Sequence, residues 1–145
     1  MAGCLPVPPM VLLKGTWTND KKSRMEITEV HDDGKVATST FSGTYYTGVG
    51  SVDAEQAHPM YGQWMRPRDT VFAFMVTFSV MWENTVNQET REPTRRATTA
   101  WTGMAYENDG KPCMETKWTL TSEKYKKDFW KATRIGGDSF TKKSA

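Results

Sequence analysis

No apolar stretch of this chain approaches the ~18 residues that a membrane-crossing helix needs, and neither sign of charge dominates. The formal net charge is +2, and charged residues make up 25% of the 145. A nucleic-acid partner would call for a basic stripe. The basic residues here are scattered, apart from "TRR" and "KYKK", which read as solvated faces or loops. There are only two cysteines, Cys4 and Cys113, and two widely separated histidines, His31 and His58. With no C-x-x-C and no Cys/His cluster, no metal site and no cofactor are expected. Whether Cys4 and Cys113 pair is left open by their positions. P-loop, G-x-G-x-x-G and G-x-S-x-G motifs are all missing. The N-terminal "MAGCLPVPPMVLL" has no basic segment ahead of it, and prolines interrupt the apolar run that a secretory signal would need. Residues 1–12 are therefore expected to be a flexible leader. Residues 13–145 are expected to form one domain, long enough for a single core.

Also lacking is any long stretch with the 3.6-residue apolar period of a helix. Instead, β-branched and aromatic residues recur in short runs separated by turn signals. Eight such runs stand at about residues 13–18, 24–30, 38–47, 60–66, 70–82, 98–107, 113–122 and 129–142. "DDG" and "NDG" are hairpin signals, because Asn or Asp before Gly accepts positive φ. Eight sequential strands with mostly short links predict an all-β, antiparallel up-and-down barrel, whose closure removes exposed edges. A barrel of that size can hold one small ligand.

Side chains alternate faces along a strand. Trp118 therefore shares a face with Leu120, Trp101 with Thr99, Tyr45 with Thr47, and Trp82 with Val80 and Phe78. The chain has little of the Leu and Ile that fill ordinary barrels, but it has 6 Trp. Tryptophans could simply plug the barrel. Tryptophans interleaved with hydroxyls fit a ligand pocket better, because a buried hydroxyl without a partner costs free energy.

The segments "GTWTND" with Ser23, "GTYYTGVGS", "FSVMWEN", "TTAWTG", "TKWTLTS" and "WKATRIGGDSFTK" follow in order from about residue 13 to 142. Through them the chain resembles the avidin and streptavidin family of biotin-binding proteins. The resemblance implies a barrel with biotin at one open end, without catalysis, in a secreted homo-oligomer that is usually a tetramer. It implies that Asn19, Ser23 and Tyr45 donate to the ureido oxygen, and that Thr47 and Asp138 accept from the ureido N–H groups. Thr99 would lie near the ring sulfur. Trp82, Trp101 and Trp118 would wall the bicyclic ring, with Leu120 alongside. Val49, Gly50 and Ser51 would lie over the valeryl chain and its carboxylate. Trp130 would close the pocket of a neighbouring subunit.

The chain departs from the family pattern in several places. Ala97 replaces a common Ser that touches the ligand carboxylate. Lys21 replaces a usual Leu, which would loosen the packing at the mouth. "QETREPTRR" lengthens the stretch between Trp82 and Trp101, so "VFAFMVTF" could slide into register and put Phe78 in the place of Trp82. Lys117 and Gly137 match positions near a two-fold axis, where two copies of Lys117 would repel and weaken one interface. The alternative reading is an avidin-like association module with weak or no biotin binding. A lipocalin-type carrier or an enzyme is a further one. Tyr45 and Asp138 could form an acid/base pair, but no nucleophile or metal ligand accompanies them.

Overall fold

The computed structural model describes residues 8–32, 37–48, 50, 52–68 and 73–144. Eight antiparallel strands form a closed barrel in sequence order: β1 (Gly15–Asn19), β2 (Arg24–Val30), β3 (Thr38–Tyr46), β4 (His58–Met65), β5 (Ala73–Trp82), β6 (Ala97–Asn108), β7 (Lys111–Ser122) and β8 (Thr133–Lys142). The strand runs read from the sequence correspond to these eight. Closure comes from β1 and β8, which pair Trp17 with Lys142 and Asn19 with Phe140. Alternation sends one side chain in two to the interior. On β5 the buried set includes Phe74, Val76, Phe78 and Val80, while Met75 and Met81 face out.

The tryptophans divide by depth. Trp17 and Trp64 are fully buried in the closed half of the barrel, with Phe41, Phe74 and Phe140 around them. They do fill a core, as the plugging alternative required. Trp82 and Trp118 are only partly buried and pack on this core from the open half.

Two stretches differ from expectation. Pro9–Leu12, expected within a flexible leader, belong to a short helix, α1 (Pro9–Leu13), that closes the barrel's lower end. Leu12 and Leu13 are completely buried. Prolines that break a signal-type helix can still open a short one, since Pro at the first helical turn forfeits no hydrogen bond. The Trp17 indole N–H donates to the Leu13 carbonyl at 2.9 Å. The Lys142 ammonium donates to the carbonyls of Val11, Leu12 and Lys14 at 2.8, 3.0 and 3.0 Å. Those carbonyls at a helix C-terminus have no intrahelical partner, so a cation is well placed there. Residues 1–7 lie outside the described residues, so Cys4 does as well; Cys113 is a free thiol on β7.

The second difference precedes β8. Lys126–Lys131, which holds Trp130, is a 3-10 helix, so the expected strand run begins four residues later, at Thr133. Nothing on this stretch is buried. The Lys131 ammonium lies 3.4 Å from the Asp128 carboxylate one turn earlier. A charged segment without an inward face gains nothing by joining the sheet ladder.

Candidate functional site

The strands that end at the open rim deliver one cavity of about 240 Å³, lined by Asn19, Lys21, Ser23, Tyr45, Thr47, Trp82, Thr99, Trp101, Trp118, Leu120 and Asp138. The walls are aromatic. Trp101 stacks on Phe78 at 4.9 Å with the rings 13° apart, and lies 4.9 Å from Tyr45. Trp82 meets Tyr45 edge-on at 5.7 Å. Both Phe78 and Trp82 point inward, with β5 paired so that Phe78 faces Trp101 and Trp82 faces Ala97. The register question thus resolves: Trp82 walls the cavity, and Phe78 is the floor beneath Trp101. Trp118 lies across β8. A Cβ at Gly136 would be 2.2 Å from its Cζ2 atom, so the indole rests directly on the glycine backbone.

The polar groups fall into two sets. In the first, the Asn19 side-chain oxygen accepts from the backbone N–H of Lys21 at 3.0 Å and of Ser23 at 2.8 Å. This tight turn fixes the amide so that its NH₂ is the end left to donate. The Ser23 hydroxyl accepts from the Gly48 N–H at 2.9 Å. Burial pushes the Tyr45 phenol well above its ordinary pKa, with the neighbouring Ser23 hydroxyl partly offsetting this. Tyr45 is therefore a permanent O–H donor, because the charged form has no solvation to gain.

In the second set, Asp138 is buried and accepts from the Trp101 indole N–H at 2.9 Å through Oδ2. Its Oδ1 accepts from the Lys21 ammonium at 2.5 Å, and the same ammonium donates to the Gly137 carbonyl at 2.6 Å. The Trp82 indole N–H donates to the Thr99 hydroxyl at 2.7 Å. Lys21 is a residue whose part sequence reasoning missed. Its substitution for Leu was visible, but its reach to a carboxylate 117 positions away was not.

His58 was missed as well. It pairs across the strands with Tyr45 and sits edge-on to Trp82 at 4.8 Å. Its Nε2 is buried without a hydrogen-bond partner among the described residues. Burial lowers its pKa below the ordinary 6.5. The unfolded chain therefore binds a proton more readily than the folded one between the two values. The stability linked to His58 is fully present above pH 6.5 and is lost as pH falls through the folded value. Thermal unfolding of ligand-free protein between pH 7.5 and 4.5 should show a midpoint that drops more steeply with acid than in His58→Phe. Parallel curves would mean that the imidazole titrates alike in the folded and unfolded states.

Of the other expected residues, Gly50 is exposed at φ 75°, a left-handed conformation suited to glycine. Val49 and Ser51 lie outside the described residues. Trp130 stands on the outside of the barrel, 83% exposed, away from this chain's own cavity. Lys117 and Gly137 face each other across β7 and β8, with the ammonium folded to within 3.3 Å of where a Gly137 Cβ would stand. The long β5–β6 connection folds back on itself through Val86 and Pro93 and joins the β3–β4 connection through Val52 and Asn87. The Arg91 guanidinium reaches the Asp53 carboxylate at 3.0 Å, and the Gln56 amide donates to the Asn84 carbonyl at 2.5 Å. Two loops of the rim are thus tied together.

Comparison with known proteins adds to this geometry. Residues 8–143 match the model of the avidin family. The chain is 32% identical to avidin of Gallus gallus over 142 residues, covering 90% of this chain and 77% of that protein. It is 31% identical to avidin-related protein 4/5 of the same species over 134 residues, with the same coverage. A solved structure of a biotin binding protein from chicken superposes with a TM-score of 0.71 at 28% identity, covering 94% of this chain and 100% of the other. On the family match across nearly its whole length, the chain belongs to the avidin family.

Proposed function

We propose that the cavity binds biotin, one molecule per chain, without catalysis. The observation that carries this reading is the division of polar groups within one aromatic box. Donors converge from Asn19, Ser23 and Tyr45, and an acceptor stands at Asp138, with Thr47 also on the wall. A cyclic urea needs just such a pairing: several donors around its oxygen and acceptors for its N–H groups. The indoles of Trp82, Trp101 and Trp118 supply apolar faces for a fused bicycle. Thr99, already accepting from Trp82, stands beside them to meet the ring sulfur. On the same reading Gly50 lies over the acyl chain, and no hydroxyl stands at Ala97 to help hold its carboxylate.

The protein is also read as a secreted homo-oligomer, a tetramer on the family pattern, in which Trp130 reaches a neighbour's pocket. In support, Tyr125, Phe129 and Trp130, on or beside one 3-10 helix, are 70%, 63% and 83% accessible, large aromatic side chains that a lone chain would leave in water.

Calorimetry on ligand-free protein tests the binding. Biotin should titrate to one site per chain. An analogue lacking the ureido group should bind at least about 100-fold more weakly, because the site's own donors and acceptors are then left unpaired. Equal affinity for biotin and for a plain aliphatic acid of similar length would overturn the reading and favour the association module.

A further inference from the structure

The β5–β6 connection, which carries the lengthened "QETREPTRR" stretch, is a small hairpin of its own. Its arms meet where the Thr94 N–H donates to the Thr85 carbonyl at 2.9 Å, and Val86 bridges to Pro93. Its tip is a turn in which the Asn87 side-chain oxygen accepts from the N–H groups of Glu89 and Thr90 at 2.9 and 3.0 Å. Its foot is pinned to the β7–β8 connection. There the Glu123 N–H donates to the Arg96 carbonyl at 2.9 Å, and the Glu123 carboxylate accepts from the Arg96 N–H at 3.1 Å. From this braced arm, ties run to the β3–β4 connection. The Asp53 N–H donates to the Val86 carbonyl at 3.1 Å, beside the Arg91–Asp53 and Gln56–Asn84 contacts. The Glu55 N–H, and then the Arg91 guanidinium, hold the Asp53 carboxyl below its ordinary pKa, so the acid is charged at neutral pH.

Asp53, Gln56 and Arg91 lie outside the cavity wall, yet both loops spring from it. The β3–β4 connection leaves the wall at Thr47, and the hairpin lies between the wall residues Trp82 and Thr99. The mouth is framed on this side by two loops bound to each other. We propose that the β5–β6 hairpin is a strap that fastens the β3–β4 connection and, through Arg91 and Asp53, sets how fast ligand enters and leaves the cavity without setting how tightly it is held. The ties are complete in the ligand-free chain and touch no part of the wall, so they restrain the rim alike before and after binding. When a loop must open in both directions, loosening it raises association and dissociation by the same factor, and Kd stays put.

This inference rests on the biotin reading, and the test separates the two. Association and dissociation rates of fluorescent biotin are measured for the wild type and two variants. In the first, Asn-Gly replaces residues 86–93, a two-residue turn that the Thr94 to Thr85 bond can close. Both rates should rise about tenfold or more, since each lost hydrogen bond carries roughly a two- to tenfold effect, with Kd moving less than about threefold. In the second, Arg91→Asn suits the left-handed φ of 60° at that position and removes only the ion pair. Both rates should rise about two- to fivefold, the range for an exposed pair. In about 1 M salt the wild type should match Arg91→Asn, which should itself respond little. Unchanged rates in both variants would overturn the strap. Faster dissociation with unchanged association would overturn it as well, since the hairpin would then be holding ligand and not the rim. Failure of the wild type to bind biotin would overturn the biotin reading instead. Hydrogen exchange of ligand-free protein still tests the fastening in that case: the Asp53 amide should exchange faster in the shortened variant, and equal exchange would show that no strap exists.

Discussion

Asp138→Ala is expected to accelerate biotin dissociation by roughly 10- to 150-fold, the equivalent of the ~1.5–3 kcal/mol associated with a hydrogen bond to a charged group. Three groups depend on this carboxylate. The ligand N–H loses its acceptor. The Trp101 indole N–H loses its partner in a buried position, while stacking on Phe78 leaves the ring little freedom to turn and find another. The Lys21 ammonium keeps only the Gly137 carbonyl. Thr99→Ala should cost less, about 0.5–1.5 kcal/mol, because what it removes is a neutral bond between the Thr99 hydroxyl and Trp82. Dissociation rates of labelled biotin from the two variants provide the comparison. Identical rates would show that the charge on Asp138 contributes nothing that an ordinary hydroxyl does not.

Trp17→Ala is expected to remove about 3–5 kcal/mol of stability, the range for emptying a fully buried aromatic site. Against a total of ~5–15 kcal/mol for a domain, that would leave the ligand-free protein near or past the edge of folding. Trp17 is completely inaccessible, and its indole is one of the links, beside the Lys142 ammonium, by which the barrel holds α1. Trp17→Phe divides the effect. The ring remains, but the Leu13 carbonyl loses its donor, at a cost of about 1–3 kcal/mol for a buried unpaired group. Urea denaturation should show lower midpoints for both variants, in the order wild type, Phe, Ala. If Trp17→Phe matched the wild type, the bond to Leu13 would not be what anchors the helix.

The barrel was legible because its information is local. "TTAWTGMAYE" alternates inward and outward residues, as "RMEITEV" does up to the bulge after Ile27, and "NDG" supplies the positive φ that Asp109 and Gly110 adopt, 51° and 79°. The cavity residues other than Lys21 were legible because they lie in short motifs at the rim ends of the strands. What escaped depends on groups distant in sequence. Nothing near Lys142 announces that its ammonium will cap the carbonyls of α1. Nothing in "NDKKS" announces an ion pair with β8. Trp130 was misplaced on a strand because aromatic residues mark both strands and exposed contact surfaces, and only the lack of a buried face distinguishes them. His58 was passed over because a single histidine carries no pattern. Its burial follows from the β3–β4 register, which brings it beside Tyr45.

The pairing of the first strand with the last has a mechanical consequence. β1 and β8 are antiparallel neighbours, and the chain enters one and leaves the other at the same closed end of the barrel, where the Lys143 N–H donates to the Thr16 carbonyl at 2.8 Å. A force drawing the two ends apart therefore loads this seam as a zipper. The Lys142 clasp on α1 gives way first, then the rungs from Trp17 to Asn19 one after another, instead of all sharing the load in shear. Tethers on the two ends of the chain pull on the barrel's weakest geometry, while the rim that holds Asp138, Tyr45 and the three indoles lies at the far end of the strands and feels the load last.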